Sequence, residues 1–228
     1  MDKVAVISGA SRGIGAAVAD RLADAGWRLS LGMRTPQDAG ASWVDHHVAE
    51  FDAAAQDEAR WVDEALKHYG RIDAVICCAG VMEPQDVIEI DDDALDAMME
   101  VNVKSPRRLV RAAWDALAAS GQGRVIMLAS LSGKRVASAA SGAYSMSKFA
   151  AVALSHGIRQ KGWDAGIRAT AICPSYVNTD MAAAITEFPP QHMTQPGDIA
   201  RMVELALDLP NTASVAEMAV TCRREAHY

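Results

Sequence analysis

The sequence has no long hydrophobic run. Its apolar stretches are short and broken by charge, well under the ~20 residues a membrane-spanning helix needs, so no membrane partner is expected. Basic residues are outnumbered, 22 Lys and Arg against 29 Asp and Glu, for a net charge of −7. Aromatic residues are only 5 % of the chain and no basic cluster interleaves with them, which argues against nucleic acid as a partner. Cysteines are four, Cys77, Cys78, Cys173 and Cys222, none at metal-ligand spacing. The apolar neighbours of Cys77 and Cys78 predict buried, reduced thiols. No Gly-Lys-Ser/Thr is present, which excludes an ATP-type phosphate loop. Neither repeat nor low-complexity linker divides the chain. Met1 passes directly into a strand-like run, leaving no room for a signal peptide, and the expected location is the cytoplasm.

What is there is apolar and regularly patterned. Half of the 228 residues are hydrophobic, enough for a large core. Short apolar runs predict strands at Val4–Ser8, Arg28–Met33, Asp45–Glu50, Ala74–Cys78, Arg124–Ala129, Ile167–Cys173 and Met218–Thr221. Amphipathic stretches predict helices at Ile14–Ala25, Ala54–His68, Asp92–Val103, Pro106–Ser120, Ala143–Lys161 and Gly197–Leu207. Several strands lack polar alternation, as a parallel sheet covered on both faces requires. The expectation is one α/β domain over 1–228, a doubly wound parallel sheet of Rossmann type with helices on both faces. Ser175–Pro196 is poorly patterned, contains proline and follows a strand end, so it is expected to be a substrate loop over a site.

The first strand, turn and helix read "VAVISGASRGIGAAVADRLADAG". Gly9 permits a tight turn, Gly13 lets backbone approach a pyrophosphate, and Gly15 lets the helix pack closely. The helix N-terminus then offers N–H groups and a positive dipole end to phosphate, which points to a dinucleotide. At the end of the second strand, Met33 stands where an acidic residue would grip a ribose 2′-hydroxyl. Arg34 follows, and Arg12 lies inside the glycine turn. Two guanidinium groups suit a 2′-phosphate, so NADP is expected ahead of NAD. The alternative for Arg34 is a solvent-facing loop arginine.

Tyr144 and Lys148, in "AYSMSKF", lie one helical turn apart and share a face. A nearby cation is expected to draw the phenol below its ordinary pKa near ~10, making Tyr144 a usable proton donor. Such a pair can arise by chance, but six motifs in order cannot be so dismissed: "SGASRGIG" (Ser8–Gly15), "CCAG" (Cys77–Gly80), "VNV" (Val101–Val103), "ASLSG" (Ala129–Gly133), "YSMSK" and "CPSYVNTD" (Cys173–Asp180). From Val4 to about Leu209 the chain resembles the short-chain dehydrogenases/reductases.

The resemblance implies that Tyr144 exchanges a proton with a carbonyl or alcohol oxygen and that Lys148 lowers its pKa and holds the nicotinamide ribose. Ser130 hydrogen-bonds the substrate oxygen, and Asn102 supports a water linking Lys148 to solvent. Of two nearby serines, Ser130 is preferred because it lies three residues before Gly133; Ser132 reads as a loop residue. The same resemblance places Gly9, Ser11, Arg12, Gly13, Ile14, Gly15, Arg34, Asp52, Ala79, Gly80, Pro174, Val177 and Thr179 along the cofactor, Asp52 at the adenine and the last two at the carboxamide. The chain departs from the family where Cys77 and Cys78 replace asparagines, where Ser175 replaces glycine, and where the closing Val-Asp-Gly-Gly is missing. The expected activity is hydride transfer between NADP(H) and a small carbonyl or secondary alcohol. Reduction of an acyl thioester ketone and oxidation of a small hydroxy acid stay open, and Met181–Gln195 offers no cationic anchor for a carboxylate. The rival reading is a catalytically silent sensor or scaffold on the same fold. The helices Pro106–Ser120 and Ala143–Lys161 are expected to pair between copies in a homodimer or homotetramer.

Overall fold

The computed structural model describes residues 2–224; Met1 and 225–228, part of the expected single domain, lie outside the described residues. Seven strands form one sheet: β1 (Val4–Ser8), β2 (Arg28–Met33), β3 (His47–Glu50), β4 (Ala74–Cys77), β5 (Arg124–Leu128), β6 (Arg168–Pro174) and β7 (Glu217–Val220). Their spatial order is β3-β2-β1-β4-β5-β6-β7, and every adjacent pair is parallel.

The apolar runs form strands because both faces of each are covered. In β1, Ala5 and Ile7 enter one core while Val6 enters the other. β5 divides the same way, with Ile126 on the first side and Val125 on the second. The first core is closed by α1 (Gly13–Asp24) and α8 (Pro196–Asp208), through Leu22, Ile199 and Val203. The second is closed by α2 (Glu58–Tyr69), α4 (Ser105–Ala112), α5 (Trp114–Ala119) and α6 (Gly142–Gly162), through Trp61, Leu109, Leu117 and Ile158. Polar residues in β2 have a packing reason. Trp61 fills the space over Gly32, where a Cβ would come within 2.5 Å of its ring, and its indole N–H donates to Ser30 Oγ at 2.9 Å.

Two expected elements are built differently. The helix from Asp92 ends as α3 (Asp92–Met99), capped by Asp91, whose carboxylate accepts the Ala94 N–H at 2.8 Å. It then widens into a π-helical turn, Glu100–Lys104, before α4. Pro106 explains the widening: it has no N–H for the Asn102 carbonyl, and its ring crowds that position. The segment Ser175–Pro196 is ordered by its own hydrogen bonds. It holds a short helix, α7 (Asp180–Ala183), and a bridge between Val177 and Thr194, with Asn178 N–H donating to the Thr194 carbonyl at 2.9 Å.

Strand succession reverses direction between β1 and β4. Connections leave to opposite sides there and open a crevice at the carboxyl ends of the strands, where ligands of such sheets bind.

Candidate active site

The crevice is a cleft of about 960 Å³. At one end, β1 turns at Gly9, with φ of +68°, and the chain enters α1 at Gly13, with φ of +58°. A Cβ on Gly9 would lie 2.7 Å from the Ala79 nitrogen, so only glycine lets the turn and the end of β4 come together. Every residue expected at the site lines this cleft except Asn102.

Asn102 stands behind it, 2 % exposed within the π-helical turn. Its Oδ1 accepts the Val81 N–H at 2.9 Å, and its Nδ2 donates to the Val81 carbonyl at 2.9 Å and to Ser147 Oγ at 3.0 Å. The turn after β4 is therefore fixed from behind. Ser8 Oγ helps by accepting the Ala79 N–H at 3.3 Å. These bonds steady the turn in which Cys77 and Cys78 replace the asparagines. Both cysteines are free thiols, and burial pushes their pKa values up, Cys77 to about 12.

At the other end, α6 carries Tyr144 and Lys148 into the cleft, and the residue after β5 and Ala129, Ser130, meets them. Ser130 has an extended backbone; its Oγ accepts the Ser132 N–H at 3.1 Å, and it hydrogen-bonds the Tyr144 side chain. Ser132 only supplies backbone to that contact. Lys148 Nζ lies 5.6 Å from the Tyr144 ring centroid and donates to the Leu128 carbonyl at 2.9 Å.

The electrostatics correct one expectation. Burial pushes Tyr144 up, to about 12, despite the hydrogen bond from Ser130 that favours its ionised form. Burial holds Lys148 down, to about 8. Both groups lose water to the same packing, and each then resists charge. Tyr144 is thus a protonated phenol at neutral pH, which is the form that can give a proton. Lys148 is a cation close to losing its own.

Arg34 and Asp52 line the cleft just beyond the ends of β2 and β3. Arg12 reaches across the mouth to Asp180 at the start of α7, 2.9 Å between charged atoms. Thr179 caps α7 by accepting the Ala182 N–H, and its methyl would meet a Cβ on Gly13 at 3.3 Å. The loop after β6 and the glycine turn therefore face one another directly.

Sequence reasoning missed Tyr176, Arg135 and Arg223, which also line the cleft. Arg135 follows Ser130 by five residues and Arg223 lies beyond β7. Only the fold brings them to one place, and no local motif marks them.

The sequence profile described as "short chain dehydrogenase" matches residues 3–190. The chain belongs to that family. An agropine synthesis reductase of Rhizobium rhizogenes is 38 % identical over 230 residues, covering 97 % of this chain and 53 % of the relative. The chain thus spans about half the length of the agropine synthesis reductases it matches. An uncharacterized oxidoreductase of Staphylococcus saprophyticus is 30 % identical over 96 % of this chain and 97 % of its own. An alcohol dehydrogenase of Thermococcus sibiricus, solved in complex with 5-hydroxy-NADP, superposes with a TM-score of 0.88 at 27 % identity over all of both chains. This short-chain dehydrogenase has the family's Rossmann-type sheet.

Proposed function

We propose that the protein is an NADP(H)-dependent oxidoreductase acting on a small carbonyl or secondary alcohol, with Tyr144 as the general acid or base. One observation carries this reading: Ser130, Tyr144 and Lys148 converge at one end of a cleft whose other end is the glycine turn. The cleft suits a dinucleotide. Its floor is glycine where bulk would intrude, and a Cβ on Gly80 would crowd Asn102 Oδ1 at 3.3 Å and Lys148 Nζ at 3.7 Å. Ser11, Gly13, Ile14 and Gly15 would hold the pyrophosphate at the α1 N-terminus. Arg34 would take a 2′-phosphate, with Met33 in place of a carboxylate; Arg12 would leave Asp180 to join it. Asp52 would meet the adenine, and Ala79, Gly80, Pro174, Val177 and Thr179 the nicotinamide half.

A bound nicotinamide supplies or accepts the hydride. In reduction, the Tyr144 hydroxyl gives its proton to the carbonyl oxygen while the Ser130 hydroxyl orients that oxygen. The ammonium of Lys148 stabilises the phenolate left behind, and solvent returns the proton. Oxidation reverses these transfers. Asn102, in the resemblance the partner of a linking water, holds the turn bearing Gly80 and Val81. Loop 175–196 forms one wall of the substrate space.

Consumption of NADPH and NADH with a panel of small ketones and aldehydes tests the assignment. Faster turnover with NADPH is expected. Tyr144→Phe is expected to lower turnover by about 10²–10⁴-fold while still binding NADPH. Binding without turnover by both proteins would favour a silent sensor. The reading extends to a homodimer or homotetramer, for which Met146 and Phe149 on α6 supply exposed apolar surface.

A further inference from the structure

Between Tyr144 and Lys148 stands a residue whose side chain reaches neither the cleft nor solvent. Ser147, on α6, is 0 % exposed and is absent from the cleft lining. Its hydroxyl has one hydrogen and donates it to the Tyr144 carbonyl at 2.8 Å. The same oxygen accepts from Asn102 Nδ2 at 3.0 Å. Asn102 spends its remaining polar positions on the Val81 backbone: Nδ2 donates to the carbonyl at 2.9 Å and Oδ1 accepts the N–H at 2.9 Å. Both amide hydrogens and the hydroxyl hydrogen are therefore committed. The direction of the bonds is fixed as well, since a reversed Asn102 amide would set donor against donor at the Val81 N–H.

These bonds run from the turn after β4 to the backbone of the proton donor. One end holds the turn that carries Gly80, where a Cβ would lie 3.7 Å from Lys148 Nζ. The other end is the Tyr144 carbonyl, which a regular helix offers to the Lys148 N–H. A hydroxyl bonded back to its own helix often bends the turn that carries it. The Tyr144 ring packs in one apolar cluster with Ile90, Met98 and Ala143, so the phenol follows its backbone rather than swinging free.

We infer that Ser147 is a positioning residue: through its hydroxyl, the turn bearing Gly80 and Val81 sets where Tyr144 stands. Ser147 acts through Asn102 and Tyr144 and lies outside the cleft itself. Proton transfer needs the donor placed to within an ångström or so, which gives this bridge its leverage on the rate. The inference rests on the oxidoreductase reading for its kinetic arm, and a spectroscopic arm keeps the two separable.

The test is Ser147→Ala in the full chain, measured by NADPH oxidation with the ketone that the wild type reduces fastest. kcat is expected to fall about 10–100-fold, with KM for NADPH within about twofold of the wild type. Ser147→Cys, a weaker donor and acceptor, should fall between the two. Because Ser147 and Asn102 act as one unit, Ser147→Ala combined with Asn102→Ala should lose little more than the worse single variant. In parallel, NMR follows ¹³Cζ-labelled tyrosine; the chain has four tyrosines, and Tyr144→Phe identifies the signal. Ser147→Ala should move or broaden the Tyr144 signal and leave the others in place. A kcat within twofold of the wild type, losses that multiply in the double variant, or an unmoved Tyr144 signal overturns the inference and leaves the oxidoreductase reading standing. A lower thermal midpoint with unchanged kcat does the same, since it gives Ser147 a structural role only. If the wild type turns nothing over but the Tyr144 signal moves, the positioning role stands and the oxidoreductase reading falls. No turnover and an unmoved signal overturns the inference. Should the alanine variant fail to fold, the cysteine variant carries the same comparisons with the same outcomes.

Discussion

Lys148 is a largely buried ammonium: the residue is 5 % exposed, and burial brings it from 10.5 to about 8. Its folded pKa is depressed, so between about 8 and 10.5 the unfolded chain binds more protons than the folded one. Stability therefore rises with pH across that window, and below about 8 the folded chain bears the full cost of a buried cation, on the order of 3 kcal/mol. Lys148→Met should abolish reduction yet raise the thermal midpoint at pH 7, and the gap should close as pH climbs from 8 to 10.5. Wild-type reduction should weaken as pH rises through about 8, where the cation is lost. Midpoints measured for both proteins across pH check the sign; a gap that widens toward pH 10 would refute it. Helical spacing put Tyr144 and Lys148 on one face, while Ser130 was picked out through the resemblance to the short-chain dehydrogenases/reductases and the glycine three residues after it. The direction of the phenol's shift was not readable. It depends on desolvation by a surrounding that only the fold assembles.

At the level of elements, Arg108 on α4 is a largely buried cation shared by Glu58 on α2 and Glu100 in the π-helical turn, the latter at 2.6 Å. Arg108 donates from Nε and one terminal nitrogen to both oxygens of Glu58, at 2.8 and 2.9 Å, and Glu58 is 1 % exposed. Removing the cation strands a carboxylate away from water. Arg108→Met is expected to cost about 3–5 kcal/mol in urea unfolding, and adding Glu58→Met should recover part of it, Glu100 still lacking the cation. A loss under about 1 kcal/mol, or no recovery in the double variant, would show that the pair does not couple the helices. Nothing in the sequence pairs two residues 50 apart. The strands were readable where burial on both faces leaves uninterrupted apolar runs, as in Val4–Ser8 and Arg28–Met33, whose bounds match the structure. The π-helical turn was hidden, since Pro106 acts four residues upstream of itself. Ser175–Pro196 was also hidden, because its order comes from backbone bonds such as Thr194 N–H to the Tyr176 carbonyl rather than from a periodic apolar face.

At the scale of the whole molecule, a contiguous apolar surface among the described residues lies open beside α6. Val87, Ile88, Val136, Met146 and Phe149 are 48 %, 87 %, 59 %, 49 % and 44 % exposed, and they border a single groove beside α6. The outward side of α4, expected to share in pairing copies, carries Arg107 and Arg111 instead. Contiguous exposed apolar surface of this kind is uncommon on a monomer and marks contact with another surface. Because α6 also carries Tyr144 and Lys148 on its inner side, covering its outer side would stiffen the site from behind. A homo-oligomer built there should sediment above the 24.3 kDa of one chain. Phe149→Asp places a charge in the middle of the groove and is expected to shift the protein to monomers, with its far-ultraviolet circular dichroism unchanged, since the ring contributes to the surface rather than to either core. Sedimentation velocity of the two proteins at one concentration decides it. A wild type that runs as a monomer, or a variant that keeps the wild-type size, would place any assembly elsewhere on the chain.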